Sequence, residues 1–160
     1  DDGDYERLAS WKWFAVPSSP RGSTFYAVGY ARGHRVDRQE RMHRLILGLP
    51  RGRFPLTDHR NGNGLDNRRL NLRIANGTQS LANTRRSRRN TSGYKGASYV
   101  SDPKRAKKWQ AHIQAYGVSM YIGHYPTAEE AGHAYLAKAR EVFGEFAWSD
   151  ALEPKGGWLR

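Results

Sequence analysis

Asp58 and His59 stand next to each other in a chain of 160 residues, and they are its sharpest chemical feature. On a strand, neighbouring side chains leave the backbone on opposite sides. One of the two can therefore hold a metal while the other addresses a water molecule. Imidazole, with a free pKa near 6.5, is suited to accept a proton near neutrality. Hydrolysis of a phosphodiester needs an activated water and something to stabilise the leaving oxygen, and a hard divalent cation on oxygen ligands supplies the second. Asn71 follows His59 by twelve residues. From a return strand its amide can brace the loop behind His59 and fix the ring. An Asp-His pair taken alone is usually an ordinary surface or core feature.

The elements that must position this pair are readable around it. Phe54, Pro55, Leu56 and Thr57 lead into the pair as a strand. Arg60-Asn61-Gly62-Asn63-Gly64 is a polar loop of residues that tolerate positive φ. Leu70, Leu72 and Ile74 alternate as a second strand does, Asn76-Gly77-Thr78 opens a helix, and the helix runs from Thr78 to about Arg86. Upstream, residues 11–16 and 25–30 form a hairpin. Residues 40–47 form a short helix with Met42, Leu45 and Ile46 at helical spacing and Gly48 as its stop. His43 lies in that helix, either near phosphate or as a packing residue. His34, His112, His124 and His133 show no ligand spacing.

Lys and Arg number 27 against 15 Asp and Glu, a formal net charge of +12 with pI near 10.3. Such a field attracts polyanions, of which nucleic acid is the commonest. Nineteen aromatic residues (five Trp, nine Tyr, five Phe) argue against wholesale disorder. Cysteine is absent, which excludes disulfides and cysteine-ligated zinc. No apolar run approaches the roughly 20 residues that cross a bilayer, and no signal-peptide pattern is seen. A soluble, cytoplasmic protein is expected, with no membrane and no protein partner implied.

Met42-His43-Arg44, Asp58-His59-Arg60-Asn61-Gly62-Asn63, Leu65-Asp66-Asn67-Arg68-Arg69, Asn71-Leu72-Arg73 and Asn83 together resemble the HNH homing endonuclease family of phages and introns. The likeness runs from about Tyr5 to Asn83. It implies a ββα-metal unit that hydrolyses phosphodiester bonds in double-stranded DNA with one divalent cation, Mg²⁺ or Mn²⁺. It implies catalytic roles for His59, as general base, and for Asn71, as the brace, with Asp58 a metal ligand. Asn67 falls in the loop between the strands. A further metal ligand, often Asn, is expected nine residues after the middle Asn, and here that position is Ser80. Its hydroxyl is a poorer ligand for a hard cation. Either Ser80 binds weakly, or Asn83 one turn on or a water replaces it, or the metal site is impaired. A catalytically weak or inactive DNA-binding protein is therefore the second reading. An RNA-binding protein whose aromatic strands stack bases ranks below both.

Beyond a hinge at residues 90–93 the pattern changes. Strands are expected at 94–100, 109–116 and 119–124, then a helix opened by Thr127 and Glu130 at capping-box spacing and closed by Gly144. Ser92-Gly93-Tyr94-Lys95-Gly96-Ala97, Lys108-Trp109-Gln110-Ala111-His112-Ile113, Tyr121-Ile122-Gly123-His124-Tyr125 and Phe143-Gly144-Glu145-Phe146-Ala147 resemble the Apetala-type (ethylene-response-factor) DNA-binding domain. That domain lays a three-stranded sheet in the major groove, whose width of about 12 Å admits such a surface. The resemblance carries DNA contacts to Lys95, Ser98, Lys108, His112, Gln114 and Tyr121, with Trp109 and Ile113 in the core. A core role for Tyr121 is an equal alternative. Arg85, Arg86, Arg88 and Arg89 connect the two modules and are expected along phosphates.

The expected architecture is thus α+β. An HNH unit with an N-terminal hairpin (1–89) is followed by a linker (90–93), a three-stranded antiparallel sheet on one helix (94–148) and a loosely ordered tail (149–160).

Overall fold

The structure is a computed structural model and describes residues 1–20, 24–31, 39–87, 89–104 and 106–148. The chain divides into two compact units, Asp1–Ser80 and Leu81–Arg160. It is α+β, with three small antiparallel sheets. Arg88, His34 and the 149–160 tail lie outside the described residues.

The first unit opens with helix α1 (Asp2–Ala9), which periodicity did not suggest. Strands β1 (Trp11–Pro17) and β2 (Phe25–Ala31) form the expected hairpin, in register Trp11↔Ala31 through Pro17↔Phe25. The stretch expected as one helix over 40–47 instead starts as a short strand, β3 (Glu40–Arg41), which pairs with β2, and turns into α2 (Met42–Ile46). Pairing with Val28 and Gly29 draws its first two residues into the sheet.

Strand β4 (Leu56–His59) pairs antiparallel with β5 (Leu72–Ala75) and is followed by helix α3 (Gly77–Ala82). The expected alternation from Leu70 is corrected here. Leu70 belongs to a 3-10 turn, Arg69–Asn71, and is 91% exposed, while Leu72 and Arg73 are both buried. A short twisted ribbon with one buried ion pair does not keep a strict two-residue burial period. Helix α3 is shorter than expected, closing at Ala82 with Thr84 N–H donating to Leu81 O. Its start is fixed by a reciprocal cap: Gln79 N–H donates to Asn76 Oδ1, and Asn76 N–H to Gln79 Oε1, each at 2.8 Å.

The interior of this unit is unusually polar. Among its described residues the buried apolar side chains are Ile46, Leu72 and Ala75. They are outnumbered by buried Asp4, His43, Arg44, Asp58, His59, Asn67, Asn71 and Arg73. Such groups are tolerable inside only when hydrogen-bonded or paired, so the unit's stability rests on those pairings.

The second unit has the more conventional core. Strands β6 (Ala97–Tyr99), β7 (Trp109–Ala115) and β8 (Val118–Tyr125) form one antiparallel sheet in that order. Helix α4 (Ala128–Phe143) covers one face. Thr127 Oγ1 accepts from Glu130 N–H at 3.1 Å, and Gly144 at φ +54° ends the helix. Ala111, Ile113 and Ala115 point into the core with Ala131, Leu136, Ala139 and Phe143 of α4, and Trp109 packs beside them. Among the described residues no helix is long and apolar enough to cross a membrane.

Candidate active site

The β4–β5 ladder sets Asp58 directly opposite Arg73 and His59 opposite Leu72. Alternation then separates the two chemical groups. The buried Asp58 carboxylate goes to Arg73, whose Nε and Nη2 both lie 2.7 Å from Oδ2. His59, 5% exposed, goes to the other side, among Asn67, His43 and Tyr26.

Asn67 settles the state of the imidazole. Its Nδ2 donates to Leu65 O at 3.2 Å, which turns Oδ1 toward His59 Nε2, also at 3.2 Å. A carbonyl-type oxygen only accepts, so Nε2 carries the hydrogen and the neutral ring has its lone pair on Nδ1. Burial lowers the His59 pKa below 6.5, partly offset by the Asn67 hydrogen bond and by the Asp58 and Asp66 carboxylates. Burial thus favours the neutral ring, and the Asn67 contact favours the tautomer that leaves Nδ1 as the basic nitrogen.

The loop behind His59 is held from three sides. Asn71 Oδ1 accepts from Asn61 N–H at 3.0 Å, and its Nδ2 donates to Asp66 O at 2.7 Å. Asn61 Nδ2 in turn donates to Asp66 Oδ2, and Arg68 holds both Asp66 oxygens. These bonds keep the Asp66 carboxyl well below the usual range. Gly64 docks the loop onto β2, where a Cβ would meet the Tyr26 ring at 2.6 Å. That ring faces both His43, at 5.5 Å between centroids, and His59, at 5.8 Å. Below the loop, Arg69 Nε and Nη2 reach the buried Asp4 carboxylate of α1 at 2.9 and 2.7 Å. The Arg69 bonds, with those of Arg7, hold the Asp4 pKa low.

His43 was left open between phosphate contact and packing. It is 3% exposed and meets the His59 ring edge-on at 5.1 Å. Burial, with the positive charges around it, pushes its pKa down to about 3. Sequence reasoning quoted Arg73 and Asn67 in the motif without giving either a role, and did not single out Tyr26. The signal for Arg73 was the hairpin register, which depends on where the twelve-residue excursion between His59 and Asn71 closes.

Ser80 is half-buried on α3, its N–H bonded to Asn76 O, and Asn83 is buried just past the helix. No cluster of three or more His, Cys, Asp or Glu that could cage a metal exists among the described residues. The Asp58 carboxylate shares its Oδ2 with two nitrogens of Arg73.

In the second unit the sheet face away from α4 presents exposed His112, Gln114 and Tyr121, with half-buried Ser98 beside them. Tyr121 is 60% exposed and its hydroxyl meets His124 Nδ1, which settles its alternative against the core. Lys95 and Lys108 each have partners within the protein. The Lys95 ammonium donates to Ala82 O and Thr84 O at 2.7 Å each, closing the end of α3, and burial pulls its pKa to about 8. Lys108 Nζ donates to Asp102 O at 2.6 Å within its own loop. Both amines satisfy backbone carbonyls. Arg85 lies over the Trp148 ring at 5.7 Å, Arg89 is exposed and Arg86 half-buried.

A basic α+β chain with a neutral, oriented histidine at the end of a β-hairpin followed by a helix defines the kind of protein. A viral relative is 30% identical over 150 residues, the match spanning 91% of this chain and 70% of the relative. The chain belongs to the HNH endonuclease family. That relative is the "Uncharacterized HNH endonuclease L560" of Acanthamoeba polyphaga mimivirus. No family model matches the chain, and no solved structure does.

Proposed function

We propose that the protein is a metal-dependent, site-specific endonuclease of the homing type that hydrolyses phosphodiester bonds in double-stranded DNA. The single observation that carries the reading is the state of His59: neutral by burial and held through Nε2 by Asn67 so that Nδ1 is the basic nitrogen. In the reaction His59 Nδ1 takes the proton of the attacking water. Asn71 keeps the 60–67 loop, and with it Asn67, in register behind the ring. The excess of cationic residues, +12 over the chain, draws the duplex to the protein.

The donors suit a hard divalent cation, Mg²⁺ or Mn²⁺, that takes one carboxylate from the protein and its other ligands from water and substrate phosphate. Asp58 would hold it, with Ser80 or Asn83 as the second protein ligand. When bound, the ion stabilises charge on the leaving oxygen. Arg73 lies on the same carboxylate oxygen and is its ion-pair partner inside the unit.

The second unit is read as the grip on the duplex, in the manner of an Apetala-type sheet, through His112, Gln114, Tyr121 and Ser98. Incubation of supercoiled plasmid with the protein and Mg²⁺ or Mn²⁺ tests the reading. Nicked or linear product that EDTA abolishes supports it. Intact plasmid at every metal concentration rejects it in favour of a binding protein.

A further inference from the structure

A cavity of about 390 Å³ adjoins β4 on the side of α2, lined by Arg41, His43, Arg44, Arg53 and Thr57 among others. Its charge is uncompensated. Arg7, Arg51, Arg68, Arg69 and Arg73 of this unit are each paired with a carboxylate. Arg41, Arg44 and Arg53 have no carboxylate partner among the described residues. Arg41 lies over the Tyr26 ring at 5.1 Å and Arg53 over the Phe54 ring at 5.5 Å. Arg44, 6% exposed, donates through Nη1 and Nη2 to the carbonyls of Pro50, Arg53, Phe54 and Pro55, which bind its hydrogens but leave its charge.

A second observation marks the same wall. Among the described residues, two buried side-chain nitrogens have no hydrogen-bond partner, His43 Nδ1 and Arg44 Nε, and both residues line this cavity. Buried polar atoms are almost always satisfied, so two exceptions on residues of one cavity wall point to a partner that arrives from outside. The adjoining cavity of about 460 Å³ shares Arg41 and Arg44 but contains Glu40 and its partner Arg51, which lowers its appeal to an anion.

Three unneutralised guanidiniums, two unsatisfied nitrogens and a threonine hydroxyl describe a receptor for a tetrahedral oxyanion. We propose that this cavity is a phosphate subsite that seats a backbone phosphate of the DNA strand beside the one that is cut. This rests on the reading of the protein as one that acts on duplex DNA. The placement is close: Thr57 on its wall is two residues from His59, and His43, also on its wall, meets the His59 ring at 5.1 Å between centroids. A seated phosphate thus fixes the strand relative to the base from a second point.

The test is duplex binding by the full chain in EDTA, where no turnover intervenes, measured against salt. Each lost phosphate contact flattens the slope of log K against log salt by about 0.9. Arg53→Gln and Arg41→Gln are each expected to flatten it by that amount. Arg53→Lys, which keeps the charge, and Lys12→Gln, which removes one from β1 outside the cavity, are expected to leave it unchanged. An unaltered slope in Arg53→Gln and Arg41→Gln, or the same loss in Lys12→Gln, overturns the subsite. Should the wild type fail to bind duplex, the functional reading falls. Inorganic phosphate titrated against the His43 and Thr57 resonances then decides the pocket: saturable shifts absent from Arg53→Gln uphold an oxyanion site, and no shift removes it.

Discussion

Acid should loosen the N-terminal unit well before its carboxylates titrate, and His43 is the reason. Its folded pKa is pushed down to about 3 by burial, against 6.5 when free. Between those values the unfolded chain binds a proton that the folded chain refuses. Stability is therefore complete above pH 6.5 and is lost as pH falls toward the folded value. At 1.36 kcal/mol per pH unit, moving from about pH 7.5 to about pH 4.5 costs about 2.5 kcal/mol from this one ring. His59, also depressed by burial, adds in the same direction. Asp4 and Asp66 are depressed as well, but a lowered carboxyl releases its stabilisation only as pH falls below 3.8, outside this window. A loss of this size is large against the stability of a small domain. Urea unfolding followed on amide resonances of β1 and β2 reads this unit by itself. The wild type should weaken by about that amount across the window, and His43→Phe, which keeps a ring against Tyr26 and His59, should lose most of the dependence. An equal pH slope in His43→Phe, or a His43 ring titrating near 6.5, would refute the reasoning.

Other perturbations follow from the same contacts. Arg73→Gln takes the guanidinium away from the buried Asp58 carboxylate. It should destabilise the unit by about 3–5 kcal/mol in chemical denaturation, whereas Asp58→Asn with Arg73→Gln should recover part of that loss. Asn71→Ala removes two loop hydrogen bonds and orphans Asn61 N–H and Asp66 O. A cost of about 2–3 kcal/mol is expected, with any plasmid cleavage falling more than DNA affinity does, because the loop carries Asn67 behind His59. Ser80→Asn puts an amide oxygen where a hydroxyl stands. It should raise metal affinity, seen by calorimetry, and metal-dependent nicking; if both stay unchanged, Ser80 is no ligand.

How much of this was legible beforehand depended on what each element rests on. The β1–β2 hairpin, the β4–loop–β5–α3 run and the three strands and helix of the second unit all carried local signals: turn residues, caps and aromatic or β-branched runs. Thr127 with Glu130 marked the start of α4, and the cap formed as expected. Helix α1 carried no such signal, since Asp1, Asp2, Gly3 and Asp4 look like a solvated acidic stretch. It is secured by Asp4 reaching Arg69, sixty-five residues away, and no local pattern encodes that. Asp58 and His59 were visible as a pair, and their divergence to opposite sides follows from strand geometry. Their partners were not, because Arg73 is chosen by register, while Asn67, His43 and Tyr26 converge from a loop, a helix and a strand. The carbonyl partners of Lys95 and Lys108 were not legible either, because a lysine's reach lets it find acceptors that no local pattern marks.

The central claim is that one imidazole, fixed in a neutral tautomer, activates the water that cuts DNA. It is tested most directly by single-turnover cleavage of supercoiled plasmid in Mg²⁺ or Mn²⁺ by wild type and His59→Ala, with duplex affinity in EDTA measured on both. The account predicts cleavage by the wild type and its loss by at least about a hundredfold in His59→Ala, with affinity retained. Equal cleavage by the two proteins, or none by a wild type that binds DNA well, would contradict it.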